Sequence, residues 1–260
     1  MRLRGLALGI FVAFAAAIAP AGAETANAPE DALPGELPGP PLRAVIELFT
    51  SQGCSSCPPA DALLQTYAKD PSVIALSLPV DYWDYLGWKD TFASPRNTER
   101  QRSYAKVRGD GAIYTPQAVV NGAVHVNGGV KSEIEGAIDA TAKSETLQRV
   151  PIRFWQERNT LNVAVGVAGT DRPIREATIW LGVVQNSAAV DIKRGENSGK
   201  NLVYTNIVRD LTPIGMWKGQ ALKIQIPRGA VITPETQKCV VLIQEGRTGP
   251  IIGAAATGLW

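Results

Sequence analysis

The 260-residue sequence contains one histidine, His125, and three cysteines, Cys54, Cys57 and Cys239. A zinc centre wants four nitrogen or sulfur ligands, so this chain would have to commit nearly all of them to one site. A hydrolytic triad would rest on the single imidazole, and no Gly-x-Ser-x-Gly elbow is present. No phosphate loop is present either: in the polar stretch Arg194 to Asn201 the glycines are too close together, and Asn201 follows Lys200 where Ser or Thr is needed. Beyond the first twenty residues no uninterrupted apolar run reaches the ~18 residues of a spanning helix. No basic run interleaves with aromatics, which excludes an electrostatic footprint for nucleic acid or an anionic membrane surface. Three cysteines are also few for a stapled secreted fold, and their placement, two close together and one far away, suggests chemistry over stapling.

At the N-terminus Arg2 and Arg4 precede an apolar run from Leu6 to Ile18, and Ala21-Gly22-Ala23 offers small residues for cleavage. Residues 1–23 therefore read as a signal peptide, with an uncleaved anchor as the alternative. The whole chain has 26 basic and 24 acidic side chains; losing Arg2 and Arg4 with no acid leaves 24 facing 24. The expectation is a neutral, soluble protein, periplasmic or secreted, without membrane contact after cleavage. Residues 24–41, rich in Pro, Ala and Gly, bury too little apolar surface to repay their ordering and read as a flexible tether.

From 42 to 145 the pattern is α/β. Val45 to Phe49 is an apolar strand interrupted by Glu47 and ending in turn residues Thr50 to Gly53. Ala60, Leu63, Leu64, Tyr67 and Ala68 mark one face of a helix that opens on Pro58-Pro59. Val73 to Val80 is a second buried strand, giving a parallel βαβ unit. An insert, 81–109, follows, with Ser94-Pro95 and Gly109 as the ends of a polar helix read as solvated. Asn121-Gly122 joins the strands Gln117 to Val120 and Ala123 to Val126 in a tight hairpin. Ser132 and Glu135 form a capping-box pattern for a last helix.

Cys54-Ser55-Ser56-Cys57 falls between first strand and first helix, and Thr115-Pro116 opens the hairpin. This order resembles that of thioredoxin-like proteins. The phrases Glu47-Leu48-Phe49-Thr50-Ser51-Gln52-Gly53-Cys54-Ser55-Ser56-Cys57-Pro58 and Val80-Asp81-Tyr82-Trp83-Asp84-Tyr85-Leu86-Gly87-Trp88 are similar to those of an uncharacterised family of exported bacterial thioredoxin-like proteins, a domain of unknown function. The resemblance implies an attacking Cys54, a resolving Cys57, a cis Pro116 beside Thr115 shaping a substrate groove, and a strand carboxylate, Glu47, as proton relay. Glu47 reads equally as a salt-bridge partner. A cysteine before a helix gains from the dipole and unpaired N–H groups, which favour the thiolate.

The insert's Asp81, Tyr82 and Trp83 are candidates for a substrate platform, or for ordinary core and cap residues. His125 alternates with Val124 and Val126 and reads as a strand residue on the opposite face; two thiolates with this imidazole would otherwise suit copper(I). From 150 to 260 the alternation Leu161, Val163, Val165, Val167 and Leu222, Ile224, Ile226 belongs to about seven strands, read as a separate sandwich-like domain with Cys239 as a buried hydrophobe. The expected fold class is thus an α/β thioredoxin-like domain followed by an all-β antiparallel sandwich. The expected function is thiol–disulfide exchange with protein or small disulfide clients and an unidentified electron partner, without cofactor or metal. A non-catalytic scaffold and a copper(I) carrier are the alternatives.

Overall fold

Apolar residues run unbroken either side of Glu47, and this stretch becomes β1 (Ala44–Thr50), buried on both faces. The computed structural model describes residues 42–143, 150–167 and 175–258; the expected signal peptide and tether lie outside them. After β1 come α1 (Pro58–Tyr67), β2 (Val73–Pro79), α2 (Pro95–Arg108), β3 (Gln117–Val120), β4 (Val124–Asn127) and α3 (Lys131–Ala142). Seven strands follow: β5 (Ile152–Glu157), β6 (Thr160–Val165), β7 (Ala177–Asp191), β8 (Asn201–Trp217), β9 (Leu222–Pro227), β10 (Lys238–Glu245) and β11 (Ile251–Gly258).

The expected two-part fold class is overturned by how these strands pair. Eight form one mixed sheet in the order β11-β10-β7-β8-β2-β1-β3-β4, and β5-β6-β9 make a second, three-stranded sheet. The four long C-terminal strands therefore extend the sheet begun by β1 and β2 and do not close a sandwich of their own. The seam is the parallel pair β2 and β8, registered at Ser77 and Ile207. Asn206, with φ of 49°, donates across it from Nδ2 to the Ala75 carbonyl at 2.9 Å.

Alternation along the strands sorts the core. Val45 and Phe49 of β1, Trp180 and Val184 of β7, and Val240 and Leu242 of β10 share one cluster, into which Tyr104 of α2 packs. Ala44, Ile46 and Leu48 point the other way, against α1 and α3. On that same side, Ile179 and Leu181 of β7 and Val241 and Ile243 of β10 meet Phe154, Leu161 and Val163 of the three-stranded sheet. The apolar core thus runs continuously beneath both halves of the sequence, driven by the area it removes from water.

Helix ends follow the sequence in α2 and depart from it in α3. Ser94 caps α2, accepting from the Arg96 N–H, and Gly109 ends it at φ 77°. That helix is not solvated all round, however: Asn97, Thr98, Arg100, Gln101 and Tyr104 are buried. The capping box of α3 does not form, because the helix begins at Lys131 with Val130 as N-cap. Glu135 is drawn instead to Arg43 at 3.1 Å and to the Tyr67 hydroxyl at 2.9 Å. Among the described residues no helix is long and apolar enough to cross a membrane.

Candidate functional site

Thr50 ends β1, and the chain leaves the sheet through a turn in which Cys54 N–H donates to the Ser51 carbonyl at 3.2 Å and Cys57 N–H to the Cys54 carbonyl at 3.2 Å. This turn brings the two cysteines together as a disulfide, Cα atoms 5.4 Å apart. Cys57 is the N-cap of α1, and its carbonyl accepts from Ala60 and Asp61. Cys54 is 1 % exposed and Cys57 0 %. The Ser56 hydroxyl lies 3.4 Å from the Cys54 sulfur.

Because β1 and β3 are antiparallel with Phe49 opposite Gln117, the start of β3 lies at the sheet edge from which the cysteine turn departs. The peptide before it, Thr115–Pro116, is cis. The insert ties the two together. Trp83 Nε1 donates to Thr115 Oγ1 at 2.8 Å, and a Cβ placed on Gly53 would lie 3.0 Å from that of Trp83, an approach only glycine permits. Trp88 Nε1 donates to Gln52 Oε1 at 2.8 Å, while Asp90 accepts the Gln52 N–H at 2.8 Å. Asp81 accepts from Thr98 Oγ1 at 2.6 Å, and the Tyr82 hydroxyl donates to Gln101 at 3.1 Å. Asp81 and Tyr82 are thus held by α2, and Trp83 by Thr115.

The far half of the sequence also reaches the site. The connection between β7 and β8, residues 192–200, lies against the cysteine turn. Fully buried Asn197 donates from Nδ2 to the carbonyls of Gln52 and Cys54, each at 2.9 Å, and Glu196 accepts the Ser55 N–H at 3.2 Å. From sequence this stretch is readable only as polar; its Asn and Glu gave no sign of which turn they would meet. Asn197→Ala removes the side-chain donor of two carbonyls, of which that of Cys54 keeps the Cys57 N–H, and is expected to cost about 1–3 kcal/mol. It should also speed reduction of the disulfide by dithiothreitol, which thiol counting against time would measure.

Glu47 points to the opposite face, towards α2. It is 0 % exposed and forms a forked ion pair with Arg100, Nε to Oε1 at 2.6 Å and Nη2 to Oε2 at 3.1 Å, and accepts a very short bond from the Tyr104 hydroxyl. Gln244 of β10 accepts from Arg100 Nη2 at 3.0 Å and donates to Tyr104 at 2.8 Å. The His125 ring is bonded elsewhere, Nδ1 to Tyr114 at 3.0 Å and Nε2 to Asp110 at 3.2 Å. Cys239 is a free, buried thiol that burial pushes up to about 11. Among the described residues no three His, Cys, Asp or Glu side chains gather as metal ligands.

A family profile described as a protein of unknown function, DUF1223, matches residues 45–244. The chain belongs to this family. The DUF1223 chain is similar to a crystal structure of an Agrobacterium tumefaciens protein solved by a structural-genomics consortium: 33% identity, 84% of this chain and 95% of that one covered, TM-score 0.74. It is also similar to HBP35 of Porphyromonas gingivalis, at 11% identity over 83% of this chain and 74% of that one, TM-score 0.55, a likeness of fold alone. No curated protein matches the sequence.

A further residue of the DUF1223 site also escaped the sequence reading. Asp61, four residues beyond Cys57 on α1 and so on the same helical face, is buried, and neither carboxyl oxygen has a well-aligned hydrogen bond among the described residues. Burial pushes its carboxyl well above the ordinary range, with the Thr50 hydroxyl pulling weakly down and the Asp90 carboxylate pushing up. The Tyr204 hydroxyl of β8, also buried and unpartnered, is raised by burial and by Asp61 and Asp90. An acid in the first helical turn ordinarily complements the dipole, which hid it. The only available signal was that Asp61 falls on the apolar side with Ala60 and Leu64.

Proposed function

We propose that this protein is an exported thiol–disulfide oxidoreductase whose working pair is Cys54 and Cys57. The observation that supports it best is the disulfide itself, closed at the N-terminus of α1 on the sheet edge where β3 opens with Thr115–Pro116. The chemistry, though not the two-part architecture expected from sequence, is that of thioredoxin-like proteins. Export to a periplasmic or secreted location rests on residues 1–23. The clients are protein or small disulfides, with a separate electron partner.

In the reduced protein the Cys54 thiolate attacks a client sulfur, one client thiolate leaves, and a mixed disulfide forms. Cys57 then loses its proton and attacks Cys54, releasing the second client thiolate and restoring the Cys54–Cys57 bond. Two electrons pass to the client, and the pair is reduced again by the partner.

Helix N–H groups contribute less to the Cys54 anion than a C-x-x-C helix usually provides, because Pro58 and Pro59 have none to offer. The dipole and the Ser56 hydroxyl remain, opposed by the Glu196 carboxylate. Pro116 likewise presents no N–H, leaving room for an extended client strand, and Trp83 fixes its neighbour Thr115. The carboxylate expected to manage the Cys57 proton was Glu47, but Arg100 and Tyr104 occupy it. We assign that role to Asp61, one helical turn from Cys57: burial strengthens its hold on a proton, so in its ionised form it is the base that takes the proton Cys57 loses and then returns it to solvent.

The test is turnover. The wild-type chain should catalyse reduction of insulin disulfides by dithiothreitol, and Cys54→Ser should not; equal rates with both would leave only a scaffold on this frame.

Asp61 also sets a pH dependence. Its native pKa is raised above the unfolded value of about 3.9, so the native state holds a proton the unfolded chain has released. Stability from this group is present below that value and is lost as pH rises towards the native pKa. Asp61→Asn should therefore be more stable than wild type by at least about 1 kcal/mol at pH near 8, and little changed near pH 4. Urea unfolding at the two pH values checks this; a parallel loss at both would contradict a neutral Asp61.

A further inference from the structure

On the face of the sheet opposite α1, a cavity of about 360 Å³ opens between α2, β7, β8 and the turn joining β10 to β11. Its size is that of a small-molecule pocket. The lining has two characters. Trp180, Leu211 and Pro213 make an apolar wall, Trp180 and Pro213 being register partners across β7 and β8. Arg96 and Arg100 of α2 and Arg247 of the turn between β10 and β11 supply guanidinium groups, against a single acid, Glu99.

These cations are not equally engaged. Arg100 is offset by Glu47, and Arg96 by Asp210 at 2.7 Å. Arg247 has no carboxylate partner among the described residues; its guanidinium lies 5.8 Å from the centre of the Trp180 ring, on which Arg100 also stacks at 5.3 Å. An exposed guanidinium without a carboxylate partner, beside an aromatic and aliphatic wall in a cavity of this size, makes a site selective for an anion carrying an apolar body.

We propose that this cavity binds a small amphipathic organic acid, with its carboxylate at Arg247 and its apolar body against Trp180 and Leu211. The site is separate from the disulfide, which lies across the sheet, and does not depend on thiol chemistry.

Titration calorimetry of the full chain with sodium benzoate tests it, with acetate and benzyl alcohol as probes lacking either the apolar body or the charge. Benzoate should bind one to one with a Kd of about 1 mM or tighter, and acetate and benzyl alcohol each at least about tenfold more weakly. Arg247 is exposed, so Arg247→Gln should fold normally and lose at least about tenfold in benzoate affinity. Absence of benzoate binding, equal binding of benzyl alcohol, or an unchanged affinity in Arg247→Gln would overturn the proposal. None of these outcomes bears on turnover at Cys54.

Discussion

Reduced Cys57→Ser protein, mixed with a disulfide client, is expected to accumulate as a mixed disulfide through Cys54. The first exchange needs only Cys54, whereas release needs a second sulfur held in place. In the oxidised protein the Cα atoms stand 5.4 Å apart in one turn, so the wild-type second step is intramolecular and fast. Serine keeps the size and removes the nucleophile, and turnover should fall on the order of a hundredfold while the adduct persists. Cys54→Ser provides the contrast. Its two remaining thiols, Cys57 at the helix N-cap and Cys239 buried in β10, should form no adduct. Intact-protein mass spectrometry distinguishes them; equal trapping by both variants would reverse the assigned order of attack.

The second large effect is on stability. Arg100→Met should destabilise the fold by about 3–5 kcal/mol, because it strands the Glu47 carboxylate inside the protein without a countercharge. The pair is well removed from water, 6 % exposure for the Arg100 side chain and 0 % for Glu47. It also joins distant parts of the chain: Glu47 from β1, Arg100 and Tyr104 from α2, and Gln244 from β10. Replacing both charges, as Glu47→Leu with Arg100→Met, should cost less than the single change, since no ion is left unpaired. Urea unfolding of the wild type and the two variants decides this. A single-variant loss below about 1 kcal/mol would show that water reaches Glu47.

Local elements were legible where one residue type dictates the backbone. Asn121 and Gly122 take φ of 51° and 65°, the positive pair that a two-residue hairpin demands. Ser94-Pro95 and Gly109 bounded α2 because a cap hydroxyl, a residue without N–H and a residue free to turn left-handed have few other uses. The seven C-terminal strands were equally readable. Their destination was not: alternation says which face of a strand is buried but not which edge it pairs with, and one registered pair between β2 and β8 decides the architecture.

The site divides the same way. Cys54, Cys57 and Thr115–Pro116 could be found because their spacing relative to strand and helix is local. Asn197 and Glu196 could not, since they meet the cysteine turn from more than a hundred residues away. The polar sequence of α2 concealed a buried face, because Asn97, Arg100 and Gln101 find partners there that composition does not reveal: the Pro79 carbonyl, Glu47 and Gln117.

The most direct measurement is the rate at which iodoacetamide alkylates the fully reduced protein as a function of pH, with the modified residue located by peptide mapping. Cys54 should react first, along a titration curve centred below the free cysteine value of about 8.5. Alkylation that begins at Cys57, or a Cys54 curve centred above that value, would contradict a nucleophilic Cys54 and with it the proposed exchange chemistry.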